Sequence, residues 1–209
     1  MVLSFIGFSG CGKSYVTKRF VEELGWKSYA CDALIEGYLG AEVPPSEEHG
    51  TRRVGLWLGQ PYSPGFDVRQ EKYNDAEKAV MTEICAALEK ASPEDNLIVD
   101  TTGSVIHTGS KILAGLRAHS YVIYFQLPIS DEELLFKQYL EDPKPVIWQR
   151  LYHQAPGETP ERALRRCYRS LLRERSQLYE RYADLTVPAG FSERGELTPT
   201  KLLSLIEQQ

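Results

Sequence analysis

The sequence is short of cysteine, histidine, positive charge and long apolar runs, and each shortage removes a class of protein. Its four cysteines, Cys11, Cys31, Cys85 and Cys167, form no C-x-x-C pair. That pattern builds no disulfide framework and leads us to expect reduced, mostly buried thiols. The four histidines, His49, His107, His119 and His153, show no metal-ligand spacing. No apolar stretch reaches the length that spans a bilayer. The opening MVLSFIGF has neither a basic n-region nor a small-residue cleavage site, so no signal peptide is expected and the expected location is the cytoplasm. Formal net charge is −5, which argues against nucleic acid as a partner, because phosphate binding leaves a basic footprint. A local cationic pocket for a small anion remains compatible with that charge. No internal repeat and no low-complexity segment occurs.

With 209 residues and 42% hydrophobic content, the chain suits one α/β domain over 1–209. Short apolar runs at 2–8, 28–31, 96–101, 121–127 and 184–187 predict strands. Helical periodicity predicts helices near 13–24, 32–39, 69–91, 109–118, 130–141, 160–182 and 198–208. Strands alternating with helices imply crossover connections. The expected fold is a three-layer αβα arrangement around a central, mainly parallel five-stranded sheet. Segments 40–68 and 142–160 break the alternation. Both are rich in proline, and irregular segments of this length are often lids or binding loops. We expect a substrate-binding insert over about 32–75 and a lid over about 142–160. Segment 40–68 reads equally as an interface.

The most informative stretch joins the first strand to the first helix. Gly7-Phe8-Ser9-Gly10-Cys11-Gly12-Lys13-Ser14 satisfies G-x-x-x-x-G-K-[ST], the phosphate-binding P-loop. Glycine tolerates positive φ, so successive N–H groups can turn inward as an anion nest. The helix start adds its positive end. Lys13 supplies a point charge for terminal phosphates, and the Ser14 hydroxyl can ligate Mg²⁺. The expected nucleotide contacts are Gly7, Ser9, Gly10, Cys11, Gly12, Lys13, Ser14 and Tyr15, with ATP as the nucleotide. Asp100 ends the apolar run Leu97-Ile98-Val99 and is the expected acidic partner of the metal, beside Ser14.

Further landmarks resemble the shikimate kinase family. LGWKSYACDALIE follows the P-loop helix where that family has L-G-(aromatic) and D-x-D-x-x-I-E. NLIVDTTGSV stands where the family has a strand and a glycine-rich substrate loop. Lys144-Pro145-Val146-Ile147 resembles the lid motif R-P-L-L, and Arg175-Ser-Gln-Leu-Tyr179 resembles R-x-P-L-Y. The resemblance implies a P-loop kinase fold and phosphorylation of a small-molecule hydroxyl by MgATP. It implies Lys13, Asp32 and Lys144 as catalytic residues, with Arg150 a second candidate for the lid cation. Asp32, Arg69, Glu77, Thr101, Thr102, Gly103 and Arg175 follow as substrate contacts.

The departures fall on the substrate side. Ala30 stands at the first Asp of D-x-D, and Asn74 stands where the family's F-R-x-x-E has arginine, with Glu77 kept. Arg69 is the candidate replacement. Thr101-Thr102-Gly103 replaces a triple glycine. Phosphorylation of a small acidic metabolite is therefore implied more strongly than shikimate itself. The alternatives are another cyclic polyol, a sugar acid, a nucleoside monophosphate, or nucleotide binding without phosphotransfer. The expected assembly is a monomer or weak homodimer, with no nucleic-acid and no membrane partner.

Helical geometry tests two of these residues without the family. Leu164, Tyr168, Leu171, Leu172, Leu178, Tyr179 and Tyr182 form one apolar stripe, with Arg175 at its middle. Arg162, Arg165, Arg166, Arg169 and Arg173 lie opposite, as a solvated face. An inward charge needs a core carboxylate or a ligand anion, because unpaired burial is costly. Glu77 shares an inward face with Tyr73, Ala76, Val80 and Ile84. It either pairs with Arg175 or orients it. Asp32 is either the N-cap of the second helix or the base that takes a proton from an attacking hydroxyl.

Overall fold

The computed structural model describes residues 1–127, 132–189, 191 and 197–208. Five parallel strands stand in the order β2-β3-β1-β4-β5. They are β1 (Val2–Ile6), β2 (Lys27–Ala30), β3 (Leu97–Asp100), β4 (Tyr121–Phe125) and β5 (Leu185–Val187). β1 pairs with β3 from Val2↔Leu97 and with β4 from Leu3↔Tyr121. Central β1, β3 and β4 are buried almost throughout, as their continuous apolar runs require of a sheet covered on both faces.

Eight helices occur among the described residues: α1 (Lys13–Leu24), α2 (Cys31–Leu39), α3 (Gly50–Leu58), α4 (Phe66–Leu88), α5 (Ser110–His119), α6 (Glu132–Glu141), α7 (Pro160–Tyr182) and α8 (Pro199–Glu207). The chain leaves β1 toward β2 on one side and leaves β3 toward β4 on the other. Right-handed crossovers then put α1 and α5 on opposite faces of the sheet. α8 packs against α1, while α2, α3 and α5 gather around α4, and α7 lies on α6 and β4. The loops after β1 and β3 meet at the carboxyl end of the sheet, where doubly wound sheets bind ligands.

Predicted and observed elements agree to within a few residues. Residues 130 and 131 of the fifth predicted helix lie outside the described residues. The correction is α3. Segment 40–68 was expected to be irregular, yet Gly50–Leu58 is helical. Glycines at 50 and 55 and the flanking prolines hide the pattern. Gly55 is there for packing rather than flexibility: a Cβ would collide with the Pro143 carbonyl and lie 2.8 Å from Lys144 Cα. In segment 142–160, expected as a lid, Ile147 and Trp148 are fully buried.

Candidate active site

The loop between β1 and α1 has left-handed or otherwise positive φ at Gly7 (140°), Gly10 (86°) and Gly12 (95°). Gly7 has a second constraint, since a Cβ there would sit 2.6 Å from Phe125 O and 2.9 Å from Cys11 Sγ. Gly12 is the N-cap of α1 and offers no side-chain cap, so the first N–H groups of the helix stay open to an anion. Lys13 is 5% exposed. Its ammonium donates to Gly7 O and Phe8 O, each at 2.8 Å. The Cys11 side chain lies beneath the loop, 3.7 Å from Lys13 Nζ, and burial pushes its thiol up. Ser9, Gly10, Gly12, Ser14 and Tyr15 face the cleft.

Asp100 ends β3 under this loop. Burial pushes its carboxyl up, while Lys13 and a hydrogen bond from Ser14 draw it down. Its Oδ1 is buried without a hydrogen-bond partner. An orphaned carboxylate oxygen beside a P-loop serine fits a divalent cation. No group of three or more metal-ligating side chains occurs among the described residues.

Asp32 is not the helix cap. The N-cap of α2 is Ala30, with no side-chain hydrogen bond, and Asp32 sits in the first turn. Its carboxyl faces the cleft and is pushed up to about 6 by burial; Lys13 and Lys144 oppose this and Asp100 adds to it. Lys144 comes from the opposite wall, with Nζ 3.2 Å from Asp142 Oδ2. Asp142 also receives Arg52 at 3.3 Å.

Two joined cavities, of about 270 and 390 Å³, share Ser9, Gly10, Gly103, Lys144 and Pro145. The smaller holds Lys13, Ser14, Asp32, Thr51, Tyr73 and Thr102. The larger is walled by Leu127, Leu135, Tyr139, Val146, Tyr168 and Leu171, with Arg175 at its base. Thr51 on α3 and Tyr73 on α4 were not singled out from the sequence as site residues.

Arg175 is 3% exposed, and the five arginines expected on the opposite face of α7 are exposed. Its Nη1 donates to Gly103 O at 3.2 Å and its Nη2 to Ile147 O. Nε is buried without a partner. Among the described residues, no carboxylate lies within ion-pair distance of Arg175. Its charge helps burial push His107 down to about 4. Tyr179 fixes the same corner: its hydroxyl donates to Gly103 O, and its ring meets Phe8 edge-on at 5.1 Å.

Glu77 lies beneath this corner. It accepts hydrogen bonds from Thr102 Oγ1 and, at 2.8 Å, from Ser104 Oγ. Burial pushes it up to about 7 against those bonds and the attraction of Arg175. A carboxyl held above its ordinary 4.5 favours the fold in its neutral form, so that stability is lost as pH rises through about 7. Glu77→Gln keeps the accepting oxygen. It is expected to melt at a higher temperature than the parent at pH 8 and to show no such gain at pH 5, as paired thermal melts will record.

Three expected residues go elsewhere. Arg69 donates to Leu58 O and Pro64 O, both at 3.0 Å, and lines neither cavity. A carbonyl at the end of α3 and one in the turn before α4 draw it away. Thr101 Oγ1 donates to Phe5 O at 2.7 Å and ties β3 to β1 instead of facing the cleft. Arg150 is exposed and lines neither cavity.

No protein-family model matches this chain, and no curated protein matches its sequence. Solved structures do match in shape. A shikimate kinase from Acinetobacter baumannii, in complex with shikimate, superposes with TM-score 0.62 at 22% identity, over 99% of this chain and 93% of that one. The fold is that of the shikimate kinases. The Bacteroides thetaiotaomicron shikimate kinase agrees, with TM-score 0.58 at 14% identity over 99% and 98% of the two chains. The dephospho-CoA kinase from Campylobacter jejuni also matches in shape, with TM-score 0.52 at 15% identity, over 100% and 97%. At these identities the likeness establishes architecture, and the chemistry rests on the side chains described above. No helix among the described residues is long and apolar enough to cross a membrane.

Proposed function

We propose that this chain is an ATP-dependent kinase for a hydroxyl of a small acidic metabolite. The observation that carries the reading is the convergence of Lys13, Ser14, Asp32, Thr102 and Lys144 on one cleft. The P-loop amides and the open start of α1 bind the polyphosphate. Lys13 moves from the carbonyls of Gly7 and Phe8 to the terminal phosphate, and Lys144 approaches from the facing wall. Both spread the charge that develops on the transferred group. Asp100 and Ser14 hold Mg²⁺, which supplies further charge neutralisation when bound. Asp32 accepts the proton of the attacking hydroxyl. The acceptor lies toward the larger cavity, where Arg175 Nε offers a donor to an acidic group.

An acceptor other than shikimate is the second reading. Arg69 lines neither cavity, whereas Arg175 lines the larger one, which supports Arg175 as the cation for a carboxylate. Both readings are tested by ADP release with MgATP and a panel of acids and their neutral alcohol counterparts. Acids are expected to be preferred. Arg175→Leu is expected to lower the ratio of kcat/KM for acid over neutral acceptor by roughly tenfold to a hundredfold, the size of one lost charge-assisted contact. An unchanged ratio sinks the acidic acceptor. Shikimate as the single best substrate ends the second reading.

A further inference from the structure

Segment 142–149 crosses the cleft without regular secondary structure, yet three helices fasten it. On α3, Gly55 allows the backbone of Pro143 and Lys144 to lie directly against the helix. On α4, Gln70 is 8% exposed, and its Oε1 accepts the Trp148 N–H at 2.7 Å and the Gln149 N–H at 3.0 Å. Gln149 has φ of 53°, the one positive φ outside glycine among the described residues. That conformation is costly for a side chain of this size, and the Gln70 carbonyl holds it in place. On α7, Arg175 Nη2 donates to Ile147 O. Ile147 and Trp148 are fully buried, and Trp148 meets Tyr139 edge-on at 6.1 Å. Lys144 belongs to the first of these fastenings through its backbone, and it lines both cavities.

We propose that Gly55 and Gln70 are positioning residues for phosphoryl transfer. Together with Arg175 they mount residues 143–149 as a fixed wall, which presents Lys144 to the cleft before any ligand arrives. A charge held in place needs no reorganisation as the reaction proceeds, whereas a lysine on a swinging lid must be ordered at each turnover. The part played by Lys144 rests on the kinase reading above; the mount does not.

Two measurements separate them. In the ligand-free protein, hydrogen exchange at the Trp148 and Gln149 amides is expected to be as slow as in the central strands, and to quicken in Gln70→Leu. Fast exchange in the parent, or protection that appears only with MgATP, overturns the fixed wall. With an acceptor in hand, Gln70→Leu is expected to lower kcat roughly tenfold to a hundredfold with little change in KM for ATP. Gln70→Glu keeps the accepting oxygen and is expected to restore most of the loss. Gln70→Leu is expected to add no further loss in a Lys144→Ala background. Additive losses show that Gln70 does not act through Lys144 and overturn the positioning role. Absence of turnover by the parent with every acceptor defeats the kinase reading and leaves the exchange result to decide the mount.

Discussion

Replacing Lys13 with alanine is expected to lower kcat/KM by at least about a thousandfold, the scale of losing a preorganised charge at a transferring group, while the protein stays folded. The two consequences are separable because Lys13 contributes little to the core. Its ammonium rests on two loop carbonyls, groups that a water molecule can satisfy once the side chain is gone. The nest itself depends on backbone conformation at Gly7, Gly10 and Gly12, which the substitution leaves in place. Nucleotide binding should therefore weaken less than turnover. Coupled ADP release, calorimetric titration with MgATP and a thermal melt provide the three readouts. Parental turnover in Lys13→Ala refutes the assignment of the loop, and a collapsed melt assigns Lys13 a structural role.

The second large effect belongs to Asp32. As general base it must be ionised to take the proton of the acceptor hydroxyl. Its carboxyl titrates at about 6, so kcat/KM for the parent should fall as pH drops through that value and level off above it. Asp32→Asn is expected to lower kcat by roughly a hundredfold to ten-thousandfold and to erase the acidic limb. Stability moves the other way. The folded carboxyl titrates above its ordinary 3.8, so the neutral form suits the fold, and that contribution is lost as pH rises through about 6. The asparagine variant should therefore melt higher than the parent at pH 8, a trade of stability against activity that functional sites commonly show. An acidic limb that persists in Asp32→Asn moves the base to another group.

The legible part of the site was local in sequence. The P-loop spacing, the Asp100 strand end and the inward place of Arg175 each depend on a short window and a regular period. Arg175 was separable from five neighbouring arginines because a helix turns its faces at a known angle, and it is the buried one. The capping reading of Asp32 fell only in three dimensions, where Ala30 took the capping position. Arg69 illustrates the limit most clearly. It lies on the same helix as Tyr73 and Glu77, so sequence alone admits it to the site. The Leu58 carbonyl at the end of α3 and the Pro64 carbonyl before α4 capture it instead, and α3 was itself hidden among glycines and prolines. Thr51 and Gln70 carry no motif; they come to the cleft because α3 and α4 pack beside it.

The amino-acid sequence on its own determined the glycine-rich turn between β1 and α1, the alternation of strands and helices and the inward charge on α7, because backbone preference and side-chain periodicity act over a few residues. Tertiary structure decided which cations reach the cleft and which helices segment 142–149 touches. Those outcomes depend on contacts between positions such as Gly55 and Pro143, or Gln70 and Trp148, that lie far apart along the chain and meet only when the helices pack.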